Sequence, residues 1–158
     1  MARLEWRHVA LKQRFKGARH TAVATNTISD PSQALSALKD PQSMALAAAE
    51  AGLDKKALEV EIIDVSGKVD YADFLVLMTG QSDRHVSSIA SSVDEALGRK
   101  GVRSIAVEGL PRGEWVLIDF VDVVVHVFLE RTRELYDLGG LWMDARRVAV
   151  PEGPSPPA

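Results

Sequence analysis

Apolar and polar positions alternate along the chain in segments that predict an α/β fold. Residues 58–65 alternate and then become apolar, as expected for a β-strand. Residues 72–78 form a continuous apolar run, which is typical of a strand buried on both faces. Residues 83–99 carry apolar side chains at helical spacing, and Ser82 precedes them as an N-cap. With a further strand predicted at 102–107, the order strand, helix, strand indicates a right-handed parallel crossover.

The second half of the chain predicts a hairpin. Residues 114–119 and 122–129 are apolar segments separated only by Phe120 and Val121, a spacing that favours antiparallel pairing. A short helix is expected at 132–138. We therefore expect a mixed sheet of about five strands, with helices packed mainly on one face.

A helical pattern between residues 31 and 53 is divided by Pro41, since a proline tends to end a helix just before itself. Asp40 or Ser43 is suited to cap the part that follows. Gly52 lies where a C-terminal cap glycine is expected.

The two ends of the chain differ from its centre. Residues 1–31 are basic and contain few large apolar side chains, so we expect a flexible N-terminal extension. Contact of this arm with nucleic acid and an organellar transit peptide are the alternatives. Residues 32–148 contain the predicted elements and form the expected domain. Residues 149–158 are rich in proline and predict a disordered tail.

The composition and charge of the chain exclude several kinds of functional site. Cysteine is absent from the 158 residues, which excludes disulfides, thiolate metal sites and thiol catalysis. The net charge of −3 is unevenly distributed along the chain. Residues 1–39 contain seven Lys/Arg and two Asp/Glu, whereas residues 40–158 contain twelve Lys/Arg and twenty Asp/Glu. An acidic body repels phosphate and favours a basic protein partner. Because no apolar run reaches the length of a membrane span and no secretory signal opens the chain, we expect a cytoplasmic protein without membrane contact.

Four polar features were candidates for chemistry. Residues 79–82 (TGQS) suggest either an anion site at a helix N-terminus or a plain turn with a Ser cap, and we favour the turn. Arg84 and His85 follow, and a surface contact is favoured over catalysis. Asp119 and Asp122 suggest either Mg²⁺ binding or capping of the hairpin turn, with capping favoured. His126, among valines, indicates a hydrogen-bonded core residue rather than a ligand. No catalytic residue, cofactor or metal site is predicted.

Aromatic residues near the hairpin form the remaining candidate. Trp115 begins one strand, Phe120 lies at the hairpin tip and Pro111 lies in the preceding loop. An aromatic side chain forced outward at a tip has the composition of a binding hot spot. The alternative is that Phe120 folds back onto the sheet of its own chain.

The chain resembles the ribosomal silencing factor family, also called RsfS or Iojap-like. The resemblance rests on DYADFLVLMTG, QSDRHVSSIA, VEG, EWVLIDF, DVVVHVF, TRELYDL and LW, which occur in this order between residues 70 and 142. A weaker likeness extends it to about residues 33–144. It implies a fold similar to the nucleotidyltransferase core without known catalysis. It also implies a translational repressor that binds the large ribosomal subunit through large-subunit protein fourteen and blocks joining of the small subunit, notably under nutrient limitation. It leaves open a homodimer and a weak contact of the basic N-terminal arm with ribosomal RNA.

The resemblance also implies which residues face the partner. The expected edge consists of Trp115, Phe120 and the hairpin residues Asp119 and Asp122, near Pro111, and further signature residues are Arg84, His85, His126, Tyr136 and Trp142. Three features depart from the family pattern: Val121 stands where glycine is usual, Gly139-Gly140 suggests a more mobile segment, and residues 1–31 have no counterpart. The rival hypothesis is a Mg²⁺-dependent nucleotidyltransferase-like enzyme that uses Asp119 and Asp122.

Overall fold

A single mixed sheet organises the chain in the computed structural model, which describes residues 40–151. In the described range the sheet has six strands in the order β3-β4-β5-β2-β1-β6. Strands β2 and β5 are parallel neighbours, and the other neighbouring pairs are antiparallel. The elements are α1 (Pro41–Asp54), β1 (Leu58–Asp64), β2 (Phe74–Gly80), α2 (Asp83–Arg99), β3 (Ala106–Glu108), β4 (Trp115–Asp119), β5 (Val123–Leu129), α3 (Glu130–Tyr136), α4 (Leu138–Leu141) and β6 (Arg146–Val148).

The central strands explain the continuous apolar runs. Strand β2 lies between β5 and β1, and all seven of its residues are buried. Because side chains alternate between the faces of a strand, Val76 and Met78 pack beneath α1 and α2, whereas Leu75 and Leu77 join a second apolar cluster on the opposite face. The predicted strand at 72–78 is therefore confirmed, two residues later at each end.

Helix α1 begins as Pro41 predicts. Asp40 is the N-cap, and its carboxylate accepts a hydrogen bond from the Ser43 amide at 3.2 Å. The expected role of Gly52 is wrong, because the helix continues to Asp54. A Cβ atom at Gly52 would lie 2.2 Å from the sulfur of Met78, so this glycine permits close packing of α1 on β2.

Helix α2 confirms its sequence pattern. It spans Asp83–Arg99, and the Ser82 hydroxyl accepts from the His85 amide at 3.1 Å. Val86, Ile89 and Val93 are fully buried against the sheet, and α2 also packs beside α1. Both long helices therefore cover the same sheet face.

The predicted parallel connection from β2 through α2 to β3 is confirmed in strand direction, because β3 and β5 both run antiparallel to β4 and β5 is parallel to β2, although β2 and β3 are not neighbours. The parallel neighbour of β2 is β5, whereas β3 lies at the sheet edge and pairs antiparallel with β4. Only Ala106–Glu108 form this strand, fewer residues than the predicted 102–107. The sixth strand, β6, was not predicted, because three residues give too short a pattern; it pairs with β1.

The face opposite α1 and α2 is also covered over its centre. Tyr71, Tyr136, Leu138 and Ala145 are buried there against the second apolar cluster. Burial raises the pKa of Tyr71 to about 12, with a smaller contribution from the charge of Asp70. The central strands are therefore covered on this face by Tyr71 and by the segment that follows β5.

The segment after β5 folds as two short helices. Instead of one helix at 132–138, α3 occupies Glu130–Tyr136 and α4 continues through both glycines. The Asp137 carboxylate accepts from the Gly140 amide at 3.1 Å, and a Cβ atom at Gly140 would lie 2.2 Å from that carboxylate. The glycine pair thus permits a capped turn. The predicted N-terminal extension at 1–31 lies outside the described residues, as do positions 152–158 of the predicted tail.

Candidate partner-binding surface

The hairpin turn is built by Asp119. Its side chain is fully buried, and Oδ1 accepts a hydrogen bond from the Val121 amide at 2.8 Å. Val121 has a φ of +77°, and the Asp122 amide donates to the Phe120 carbonyl at 3.0 Å, which closes a γ-turn. Thus Val121 adopts the positive φ that was expected only of glycine, and the favoured capping role is confirmed for Asp119.

Phe120 points inward. Its side chain is 3% exposed and belongs to the apolar cluster between the sheet and the helices α1 and α2. The expectation of an outward-facing aromatic anchor is wrong, and the alternative, folding back onto the sheet, is observed. A γ-turn reverses the chain within three residues, so the residue at the start of the turn can keep its side chain over the core.

Trp115 is likewise buried, with 4% of its surface exposed. Its indole N–H donates to Nδ1 of His126 at 3.0 Å. Its ring centroid lies 4.5 Å from Tyr136 and 5.1 Å from Phe128, distances typical of favourable aromatic pairs. Because Nδ1 is an acceptor, the neutral imidazole carries its proton on Nε2. The interpretation of His126 as a hydrogen-bonded core residue is confirmed.

His85 connects the two long helices. Its Nδ1 accepts from the Gln81 amide at 2.9 Å, and Nε2 donates to the Lys55 carbonyl at 2.7 Å. These bonds join the start of α2 to Lys55, the C-cap residue of α1. The neighbouring side chain of Arg84 is exposed.

An open groove of about 490 Å³ lies where the parallel strands β2 and β5 end. Its walls include Ser82, Asp83, Arg112, Glu114, Glu130 and Arg131. Three acidic and two basic side chains give no net positive charge for an anion. His85 already uses the Ser82 hydroxyl as the cap and the Gln81 amide as a donor. The plain turn with a Ser cap, favoured from the sequence, is thus what the structure contains.

The geometry does not favour the magnesium hypothesis. The carboxylate of Asp119 is directed into the turn, where its Oδ1 accepts from the Val121 amide. Within residues 40–151, no three His, Cys, Asp or Glu residues are grouped so that they could hold a metal ion.

Ten residues were expected to face a partner, and five of them lie inside the fold. The buried residues are Trp115, Asp119, Phe120, His126 and Tyr136. The remaining five reach the surface fully or in part: Arg84, His85, Pro111, Asp122 and Trp142.

Sequence reasoning missed an exposed apolar group on α3, α4 and the turn after them. Leu135 is 70% exposed, Leu141 is 46% exposed and Met143 is 78% exposed. Half-buried Trp142 lies between the last two. We call Leu135, Leu141 and Met143 the apolar triplet. All three lie within residues 135–143, and large apolar side chains that remain exposed in a folded domain are candidates for contact with a partner.

An ion pair and several hydrogen bonds fix this segment to the sheet. Arg133 of α3 donates to Thr79 at 2.9 Å and to Glu61 at 2.7 Å, and it also contacts the Glu59 carbonyl. Arg147 donates to the carbonyls of Trp142 and Gly139 at 2.7 and 3.0 Å. These partners are separated by up to 74 residues, so no local pattern could reveal them. These contacts hold the segment that carries the apolar triplet against the sheet.

Two further ion pairs involve residues at and after the end of β1. Asp64 accepts from the Ser66 hydroxyl and from Arg146, the latter at 2.8 Å. These hydrogen bonds, that of Ser66 first, hold the pKa of Asp64 below its usual value against the opposing effect of burial. Lys68 contacts Asp144 at 3.0 Å, and this bond lowers the pKa of that exposed carboxyl.

Comparisons with known proteins identify relatives over most of the chain. The family model described as "Ribosomal silencing factor during starvation" matches residues 38–157. The ribosomal silencing factor of Bacillus subtilis is 38% identical over 98 residues, which are 62% of this chain and 83% of that protein. The corresponding protein of Chromobacterium violaceum is 39% identical over 101 residues, 64% of this chain and 83% of that protein.

Solved structures agree with these sequence matches. A crystal structure of a Chromobacterium violaceum protein superposes with a TM-score of 0.65 at 35% identity, covering 75% of this chain and 91% of that one. None of the helices within residues 40–151 is long and apolar enough to cross a membrane.

Proposed function

Because the chain belongs to the ribosomal silencing factor family, we propose that it is a non-enzymatic translational repressor. In this proposal it binds the large ribosomal subunit through large-subunit protein fourteen. Its bulk then excludes the small subunit, notably when nutrients are short. The observation that carries the proposal is the family match across residues 38–157, which spans every described helix and strand.

The charge of the body supports a basic protein partner. Residues 40–158 contain twenty Asp/Glu against twelve Lys/Arg. Complementary charge accelerates encounter and selects among partners, and its contribution decreases as salt is added. Ribosome binding should therefore weaken with increasing ionic strength.

The apolar triplet replaces Trp115 and Phe120 as the anchor of this proposal. A buried aromatic side chain cannot enter a partner's pocket without opening the core, whereas Leu135 and Met143 already lie at the surface. The same segment carries the acidic residues Glu134 and Asp137, both exposed. An apolar centre with a charged rim is the arrangement of stable protein interfaces.

A subunit-joining assay tests the function. Purified large and small subunits are mixed with saturating protein and separated by sedimentation. We expect whole ribosomes to decrease and the protein to migrate with the large subunit. Unchanged assembly at saturation would refute the proposed repression.

Variants of the anchor test the surface separately. We expect Met143→Ser or Leu135→Ser to weaken co-sedimentation with large subunits at least about tenfold, as loss of an interface anchor does. Leu58→Ser, an exposed residue of β1 outside the triplet, is the matched control. Equal binding by all three variants would show that the triplet is not the anchor, even if subunit joining is still blocked.

The nucleotidyltransferase alternative gains no support from the site, because Asp119 lies inside the turn it stabilises. Calorimetry with Mg²⁺ and each nucleoside triphosphate distinguishes the two hypotheses. If the chain is a binding protein and not a nucleotidyltransferase, we expect no heat when Mg²⁺ and a nucleoside triphosphate are added.

A further inference from the structure

The groove at the ends of β2 and β5 lies at a switch point of the sheet. These two strands are parallel neighbours. Strand β2 leads into α2, which packs on one face of the sheet through Val86 and Ile89, whereas β5 leads into α3, whose Tyr136 is buried on the opposite face. The chain thus leaves two adjacent parallel strands in opposite directions, and a crevice opens between the two connections. In open α/β sheets such a crevice is the usual position of a ligand.

The size of the groove suits a small molecule. Its volume is about 490 Å³, and ligand pockets of proteins commonly have volumes of about 300–1,000 Å³. Residues 81–83 line it on the side of β2, and residues 129–131 line it on the side of β5. Both connections of the switch point therefore contribute to its walls.

The groove presents charges of both signs. Glu130 and Arg131 are consecutive residues at the start of α3, and both are exposed. The ion pairs formed within residues 40–151 include neither of them, so both charges are available to a ligand. Arg112 and Glu114, which precede β4, also line the groove and pair with each other at 3.3 Å. A ligand that carries one charge of each sign therefore finds a partner for both.

A smaller cavity with aromatic walls adjoins the groove. It has a volume of about 200 Å³, and Arg112 and Glu114 line both cavities, so the two are adjacent. Its other walls include Leu110, which is 44% exposed, and the buried rings of Trp115 and Tyr136. An apolar group that extends from the groove into this cavity would contact these three side chains and leave water.

We propose that the groove binds a free amino acid with a large apolar side chain. This inference is independent of the proposed ribosomal function. Arg131 binds the α-carboxylate, since a guanidinium group matches a carboxylate in a two-point contact. Glu130 binds the α-ammonium group. The side chain of the ligand enters the adjoining cavity beside Trp115 and Tyr136.

Other classes of small ligand fit the groove less well. A nucleoside triphosphate brings several negative charges to walls that carry three carboxylates and only two guanidinium groups. A metal ion would lack ligands, since no three His, Cys, Asp or Glu residues within residues 40–151 could hold one. An amino acid at neutral pH carries an ammonium and a carboxylate group on one carbon atom. That arrangement matches the adjacent, opposite charges of Glu130 and Arg131.

Calorimetric titration of the full chain with L-phenylalanine tests the chemistry of the site. We expect saturable binding of one molecule per chain. Hydrocinnamate lacks the ammonium group and phenethylamine lacks the carboxylate, so each should bind at least about tenfold more weakly. Glycine lacks the apolar side chain and should also bind at least about tenfold more weakly.

Variants of α3 test the location of the site. We expect Glu130→Gln and Arg131→Gln each to weaken L-phenylalanine binding at least about tenfold. Arg99→Gln is the matched control, because this exposed arginine lies at the other end of α2, and it should bind as tightly as the wild-type chain. Far-UV circular dichroism verifies that the three variants are folded.

Three results would overturn the proposal. The first is that L-phenylalanine does not bind at millimolar concentration. The second is that hydrocinnamate or phenethylamine binds as tightly as L-phenylalanine, because the ligand would then not need both charges. The third is that either α3 variant retains the affinity of the wild-type chain.

Discussion

Phe120 provides the sharpest test of the structure, because the sequence and the fold assign it opposite roles. An outward-facing anchor could be truncated without cost to folding. The structure places this ring in the core, 3% exposed, between the sheet and the two long helices. Phe120→Ala should therefore destabilise the domain by about 3–5 kcal/mol, the usual loss when a buried phenylalanine leaves a cavity. A domain of this size has a free energy of unfolding of only about 5–15 kcal/mol.

Urea denaturation followed by tryptophan fluorescence measures this loss. With a slope of about 2 kcal/mol per molar urea, the midpoint should fall by about 1.5–2.5 M. Phe120→Leu is the matched variant, since it keeps most of the apolar volume. Its free energy of unfolding should decrease clearly less than that of Phe120→Ala. The reasoning is refuted if the free energy of unfolding of Phe120→Ala decreases by less than about 1 kcal/mol while its binding to large subunits disappears. That combination requires an exposed ring.

Two further predictions concern the turn and the pH dependence of stability. Val121→Gly should raise the urea midpoint by an amount equivalent to about 1 kcal/mol, because the relief of strain at a β-branched residue with a φ of +77° outweighs the larger backbone entropy that glycine loses on folding. A lower midpoint would show that the turn is unstrained. Because the folded-state pKa of Asp64 is depressed, its contribution to stability is present above the unfolded value near 4 and is lost as pH falls through the folded value. Unfolding measured between pH 2.5 and 6 should thus depend less on pH in Asp64→Asn than in the wild-type chain, whereas Asp144→Asn, at a more exposed carboxylate, should change the profile little.

Local patterns were sufficient where one element carries its own signal. Helix α2 has an amphipathic face, a serine cap and a basic residue in its last turn, and these fixed its bounds. The continuous apolar run of β2 indicated burial on both faces, and the structure confirms it. The mixed sheet followed from the short link between β4 and β5.

The candidate site was less accessible to sequence reasoning. An aromatic residue at a hairpin tip has the same pattern whether it faces solvent or the core, so Phe120 and Trp115 could be recognised but not oriented. The apolar triplet escaped notice because exposure of Leu135 and Met143 depends on how α3 and α4 lie on the sheet. Nothing in their local sequence distinguishes them from core leucine and methionine.

The amino-acid sequence alone determined the class of fold, the serine N-cap of α2 and the family, because these depend on residue types at short, regular spacings. Tertiary structure decided the partners over long range: β5 rather than β3 beside β2, Arg133 beside Glu61, and the indole of Trp115 on His126. Such contacts form between segments distant along the chain, and their geometry depends on how whole elements pack. The physical reason is that burial is a property of the assembled layers, so the same side chain becomes a core residue or a docking residue only when its neighbours are in place.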